Sequence, residues 1–151
     1  MFLRHQLFLA LTVVACSRWP ALQASDHDRL AIQAFVYGLD SLARGEDRVR
    51  PCVGLDTRRA GTDPPAQMMA ELRKHNSQVL TISECRTMFQ NIDVVHDTIF
   101  IAVDFDSIAT SPPRIGVRTW RSGLSGGEHL CSLQRGKDGW RLGDCQMEWI
   151  S

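Results

Sequence analysis

The hydrophobic pattern of this chain passes through three regimes. Leu7 to Ala15 is apolar throughout apart from Thr12, a run of nine residues. A bilayer-spanning helix needs ~20 residues, so the run has the length of a signal h-region instead. Arg4 precedes it, Pro20 follows it, and small residues stand at Ala21, Ala24 and Ser25. Leu22-Gln23-Ala24 reads as a cleavage site that makes 1–24 a signal peptide and 25–151 the exported domain. A second processing route competes. Val13-Val14-Ala15-Cys16 resembles a bacterial lipobox, in which 1–15 is removed and Cys16 is acylated.

Beyond the leader the period becomes helical. Leu30, Ala31, Ala34, Phe35, Gly38, Leu39 and Leu42 recur at spacings of three and four. They give one broad apolar face to a helix that starts near Ser25-Asp26 and ends near Arg44-Gly45. Val49 to Leu55 reads as a strand, and Asp56 to Asp63 as a polar loop. Asp63-Pro64 opens a second helix with Met68, Met69 and Leu72 on its apolar side, ending near His75-Asn76. Val79 to Ile82 is strand-like, and 83–91 has no decided period.

From Thr98 onward the period is two. Ile99, Ile101, Val103 and Phe105 alternate with other residues, and Ile115, Val117 and Thr119 repeat the pattern. Pro112-Pro113 and Ser122 to Gly127 supply the turns, and strands follow over His129–Arg135 and Trp140–Ile150. The expected fold is α+β. Two N-terminal helices pack on a mainly antiparallel sheet that ends in a four-strand meander.

The last hairpin allows a residue-level expectation. Gly136-Lys137-Asp138-Gly139-Trp140 fits a three-residue loop with Gly139 left-handed, which sets Gly136 opposite Trp140. That register brings Cys131 opposite Cys145 at a non-hydrogen-bonded pair, where a bridge fits. A two-residue turn would shift the register by one and put the two cysteines on opposite faces. With Cys16 removed or acylated, four of the five cysteines remain. The expected disulfides are therefore Cys131–Cys145 and Cys52–Cys85, as suits a small exported domain.

Charge narrows the function. Arg4 and Arg18 lie in the leader and all 17 acids lie after residue 25, so the domain carries 15 bases against 17 acids. No basic excess supports nucleic-acid binding. There is no C-x-x-C, no zinc-ligand spacing and no G-x-S-x-G, and Gly123 to Gly127 is not a phosphate loop. No metal and no cofactor is expected.

Histidine–acid neighbours occur at His96-Asp97 and Glu128-His129, but adjacent strand residues face opposite ways and form no dyad. Asp104 and Asp106 share a strand face, and pairing of the strands across the Pro112-Pro113 loop is expected to set one or the other near Arg114. His129 is expected to pack beside the Cys131–Cys145 bridge.

Two candidate binding features remain. One is the basic–aromatic set Arg114, Arg118 and Trp120 on alternate positions of one strand, and the other is the Arg58-Arg59 loop. The expected function is a non-enzymatic interaction module of a bacterial-type cell envelope, in the periplasm or secreted, with another envelope protein as partner. Membrane contact is expected only through a lipid at Cys16. The alternative is a small secreted enzyme or ligand-binding domain with a pocket between helices and sheet, where His96, Asp104 and Arg118 would be tested first.

Overall fold

The structure, a computed structural model, describes residues 22–43, 50–55, 61–89, 98–105, 108, 112–121 and 125–150. Helix α1 spans Ala24–Tyr37 and runs into a π-helical turn at Gly38–Leu42. Strand β1 (Arg50–Leu55), helix α2 (Ala66–His75), strand β2 (Leu80–Thr81) and helix α3 (Ile82–Phe89) follow. The remainder is all strand: β3 (Thr98–Asp104), β4 (Arg114–Arg121), β5 (Ser125–Gly136) and β6 (Gly139–Ile150).

The six strands form one sheet in the order β2-β1-β3-β4-β5-β6. The expected meander is present, since β3, β4, β5 and β6 pair antiparallel in sequence. The sheet is mixed, because the N-terminal strands, whose direction the sequence left open, are parallel. β1 runs parallel to both β2 and β3. A short apolar strand buried on both sides carries no alternation from which direction can be read.

Alternation sorts the sheet into two faces. The inner face carries Val53, Ile101, Val103, Ile115, Val117, Cys131 and Leu133. It is covered by Leu30, Ala31, Ala34 and Phe35 of α1 and by Met68, Met69 and Leu72 of α2. The three- and four-residue spacing read from the sequence is the buried stripe of α1. At Gly38 a Cβ would stand 2.6 Å from Ile101 Cγ2, so the chain passes close over the sheet there.

Helix α3, undecided in the sequence, lies on the outer face of β1. Cys52 points outward from β1 and is bridged to Cys85 of α3. Ile82 occupies the space where a side chain on Gly54 would lie. The bridge contributes roughly 2–4 kcal/mol by restraining the unfolded chain.

Cys131 is bridged to Cys145, as expected, but the route to that register is different. Gly139 takes the left-handed conformation, with φ 104°. It nevertheless pairs directly with Gly136, so the loop has two residues, Lys137 and Asp138. That turn starts β6 one residue out of the expected register. A bulge then places both Gly143 and Asp144 opposite Ser132, between the pairs Leu133↔Leu142 and Cys131↔Cys145. The extra residue lets Trp140 and Leu142 share the inner face with Cys145.

Gly38→Ala is expected to destabilise the domain by about 1–2 kcal/mol. Overpacking against the fully buried Ile101 outweighs the better helix propensity of alanine. The midpoint of denaturant unfolding measures this.

Candidate functional site

Strand β4 turns Arg114, Gly116, Arg118 and Trp120 to the outer face, opposite the core set Ile115 and Val117. Its neighbours complete that face. Trp120 is paired with Phe100 of β3 and Gly126 of β5, and Arg118 with Ala102 and Glu128. The Phe100 and Trp120 rings stack 5.2 Å apart with planes 8° from parallel. Aromatic residues at directly opposed positions stack in this way when no side chain intervenes.

Arg118 is the hub of the face. Its Nη2 lies 3.0 Å from Asp104 Oδ2 and its Nε donates to Glu128 Oε1 at 2.8 Å. The Asp104 side chain is 4% exposed and that of Glu128 16%. A planar guanidinium bridges two carboxylates on flanking strands, which fixes its orientation. Of the two carboxylates expected near Arg114, Asp106 lies outside the described residues. Asp104 sits opposite Gly116, so Arg114 and Arg118 are both diagonal neighbours. It is Arg118 that takes the carboxylate, because there the fork also reaches Glu128. Arg114 leans instead toward Glu148 of β6 at 3.9 Å and stays 43% exposed.

The expected set Arg114, Arg118 and Trp120 is thus brought together on one face, with unequal roles. Arg118 is held within the sheet, whereas Arg114 remains partly open. Glu128 and Phe100 were not read from the sequence. The signal for both was the register across the two meander turns. Arg58, Arg59, His96, Asp97, Asp106 and Cys16 lie outside the described residues.

His129 is on the inner face, where it was expected beside the bridge. It is 7% exposed, and its Nδ1 lies 3.0 Å from Tyr37 Oη of α1. Burial pushes the imidazole below its ordinary 6.5 and the Tyr37 hydroxyl above its ordinary 10.0. Both are neutral at pH 7, and the imidazole tautomer sets which of the two donates. The pair ties α1 to β5.

Two surface arrangements complete the inventory. His75 Nε2 lies 2.9 Å from Asp40 Oδ1, linking the end of α2 to the π-helical turn. Glu84 accepts the Thr81 amide at 2.6 Å and both contacts of Arg73, which hold its carboxyl below the usual range. Among the described residues no group of three or more His, Cys, Asp or Glu is placed to hold a metal ion. No protein-family model, curated protein or solved structure matches this chain.

Arg118→Ala is expected to cost about 3 kcal/mol in unfolding free energy. It removes the cation beside a buried carboxylate, and the partial exposure of Arg118 keeps the cost at the low end for such pairs. Denaturant unfolding of the single variant tests it.

The depressed imidazole predicts a pH dependence with a definite sign. The unfolded chain takes up the His129 proton before the folded one does as pH falls below 6.5. Stability is therefore complete above 6.5 and declines as pH falls toward the folded value. Glu84 adds its own loss only below its ordinary 4.5. Between about pH 7.5 and about pH 5.5 the wild type should lose more stability than His129→Gln, measured by denaturant unfolding at both ends. An equal loss in both proteins would assign the slope to another group.

Proposed function

We propose that this chain is an exported, non-enzymatic interaction module of the cell envelope, and that it recognises a partner protein through the outer face of β4. The observation that carries the reading is the Phe100–Trp120 stack beside the clamped Arg118, with Arg114 partly exposed at the other end of the strand. Such a face is held rigid before any partner arrives, which reduces the ordering cost of association. Arg and Trp are also the side chains that most often dominate binding energy at protein interfaces.

The enzyme or ligand-cup alternative required a pocket between helices and sheet. That space is filled by Leu30, Phe35, Leu72, Ile101, Val103, Ile115 and Val117, all buried, which favours the binding reading. Export is supported by the apolar run Leu7 to Ala15 and the small residues after it. Two disulfides suit an oxidising compartment. Among the described residues no helix is long and apolar enough to cross a membrane.

The test is capture of partners from an envelope extract by the mature, oxidised protein. Arg114→Ala and Trp120→Ala should each lower capture at least tenfold, about 1.4 kcal/mol, with unfolding midpoints little changed. Undiminished capture by both variants would refute the assignment of this face.

A further inference from the structure

The first turn of α1 and the tip of the β5–β6 hairpin form one end of the domain. Arg29 joins them. Its Nη1 donates to the Asp138 carbonyl at 2.6 Å and its Nη2 to Asp26 Oδ1 at 2.7 Å. Its Nε is buried without an acceptor among the described residues. Around it stand Arg135 and Lys137, both exposed, while the side chain of Arg141, next to the inward Trp140 and Leu142, turns to the outer face of the hairpin. Arg141 bonds Gln134 at 3.1 Å. Arg135 and Lys137 form no ion pair among the described residues.

The α1 side of this end therefore gathers three cations, Arg29, Arg135 and Lys137, against the carboxylates of Asp26 and Asp138. Asp26 is already engaged by Arg29 and by the Gln23 amide at 3.2 Å. A concavity of about 370 Å³ opens between α1 and the hairpin, lined by Arg29, Gln33, Lys137, Trp140 and Arg141 among others. Trp140 is buried, at 4% exposure, so the hairpin tip offers charge and no aromatic wedge.

The path of the chain places this end near the leader. Leu22 packs on the core, and the Gln23 carbonyl accepts the amides of Asp26 at 2.9 Å and His27 at 3.2 Å. A chain cut after Ala24 would lose both residues and set an ammonium group at the positive end of α1. A chain cut before Cys16 keeps them. The six peptide units from Cys16 to Leu22 then reach at most about 20 Å from a lipid on Cys16.

We propose that the end formed by the first turn of α1 and the β5–β6 hairpin docks on an anionic phospholipid surface. Arg135 and Lys137 meet the headgroup phosphates, and the concavity beside Arg29 admits one of them. The proposal rests on the export reading, but it uses residues on a different part of the molecule from Arg114 and Trp120. The attraction is electrostatic and weakens with salt.

The experiment follows hydrogen exchange at residues 136–139 in the mature, oxidised protein as the cell processes it. The protein is mixed with vesicles of phosphatidylcholine containing one-third phosphatidylglycerol, with vesicles of phosphatidylcholine alone, or with inorganic phosphate and no vesicles. Exchange at the hairpin should slow severalfold with the phosphatidylglycerol vesicles only, and high salt should reverse it. An Arg135→Glu/Lys137→Glu variant should lose the effect while exchange in β3 and β4 stays unchanged. Equal exchange with both vesicle types would overturn the proposal, whatever lipid the protein carries. Protection by inorganic phosphate alone would also overturn it, assigning the cations to a free anion. Partner capture by the same double variant keeps the two readings apart, because it should be retained if the β4 face is the protein-binding site.

Discussion

One extra residue in β6 decides which side chains the edge strand turns inward. Along any strand successive side chains alternate between faces, so a single insertion reverses every assignment beyond it. Trp140 and Leu142 face the helices as even-numbered residues. Cys145 can join them only because Gly143 and Asp144 together oppose Ser132. A side chain on Gly143 would run into Ser132 and Gln134, so the bulge is built where no Cβ is present. Without it Cys145 would face solvent, and the bridge to Cys131 could not close over the core. The neighbouring His129 and its hydrogen bond to Tyr37 belong to the same inner face. The closure of the last hairpin by its disulfide thus depends on that local irregularity, while His129 owes its inward position to the unbroken register of β5 with β4.

The outer face obeys the same alternation with different chemistry. β4 divides its residues between a filled apolar core and a polar face organised by Arg118. Burying Asp104 at 3% exposure is tolerable because a guanidinium stands 3.0 Å away. Arg118 therefore acts mainly as a structural cation, whatever this face binds. Under the proposed binding role, the side chains left for recognition are those at the ends of the strand, Arg114 and Trp120. Their positions are set by a network that must already be satisfied before any partner is met. This separates residues whose loss unfolds the face from residues whose loss leaves it folded but less able to bind.

The sequence was most informative where the period was sustained. The stripe of Leu30, Ala31, Ala34 and Phe35 and the alternation in β3 and β4 each extend over several residues, and both reappear as buried faces. The cysteine pairing was also legible, although through a compensation. The two-residue turn and the bulge each displace the register by one, in opposite senses, so the inferred pair survives an error in the turn. What could not be read depended on long-range register or on short segments. β2 has only two residues, and α3 begins at Ile82, directly after it. The parallel direction of β1 leaves no mark in Pro51, Cys52 and Val53. The partner of Asp104 depended on the choice between two diagonals, which a sequence pattern cannot rank without Glu128 in place.

The bulged edge has a further consequence for how the domain can associate. β6 is twelve residues long and lies at the open end of the sheet. An unprotected edge of that length invites pairing with another chain. Here the edge is interrupted twice, at Gly143–Asp144 and at Glu148, where the register to β5 shifts again. The Leu142 amide is taken by Gln33 Oε1 of α1 at 2.7 Å. Arg141, Asp144 and Glu148 add charges at intervals along the strand. Each feature removes part of the regular array of donors and acceptors that an incoming strand would need. The same bulge that closes the core therefore also blunts the edge, which favours recognition through side chains on a sheet face over addition of a strand.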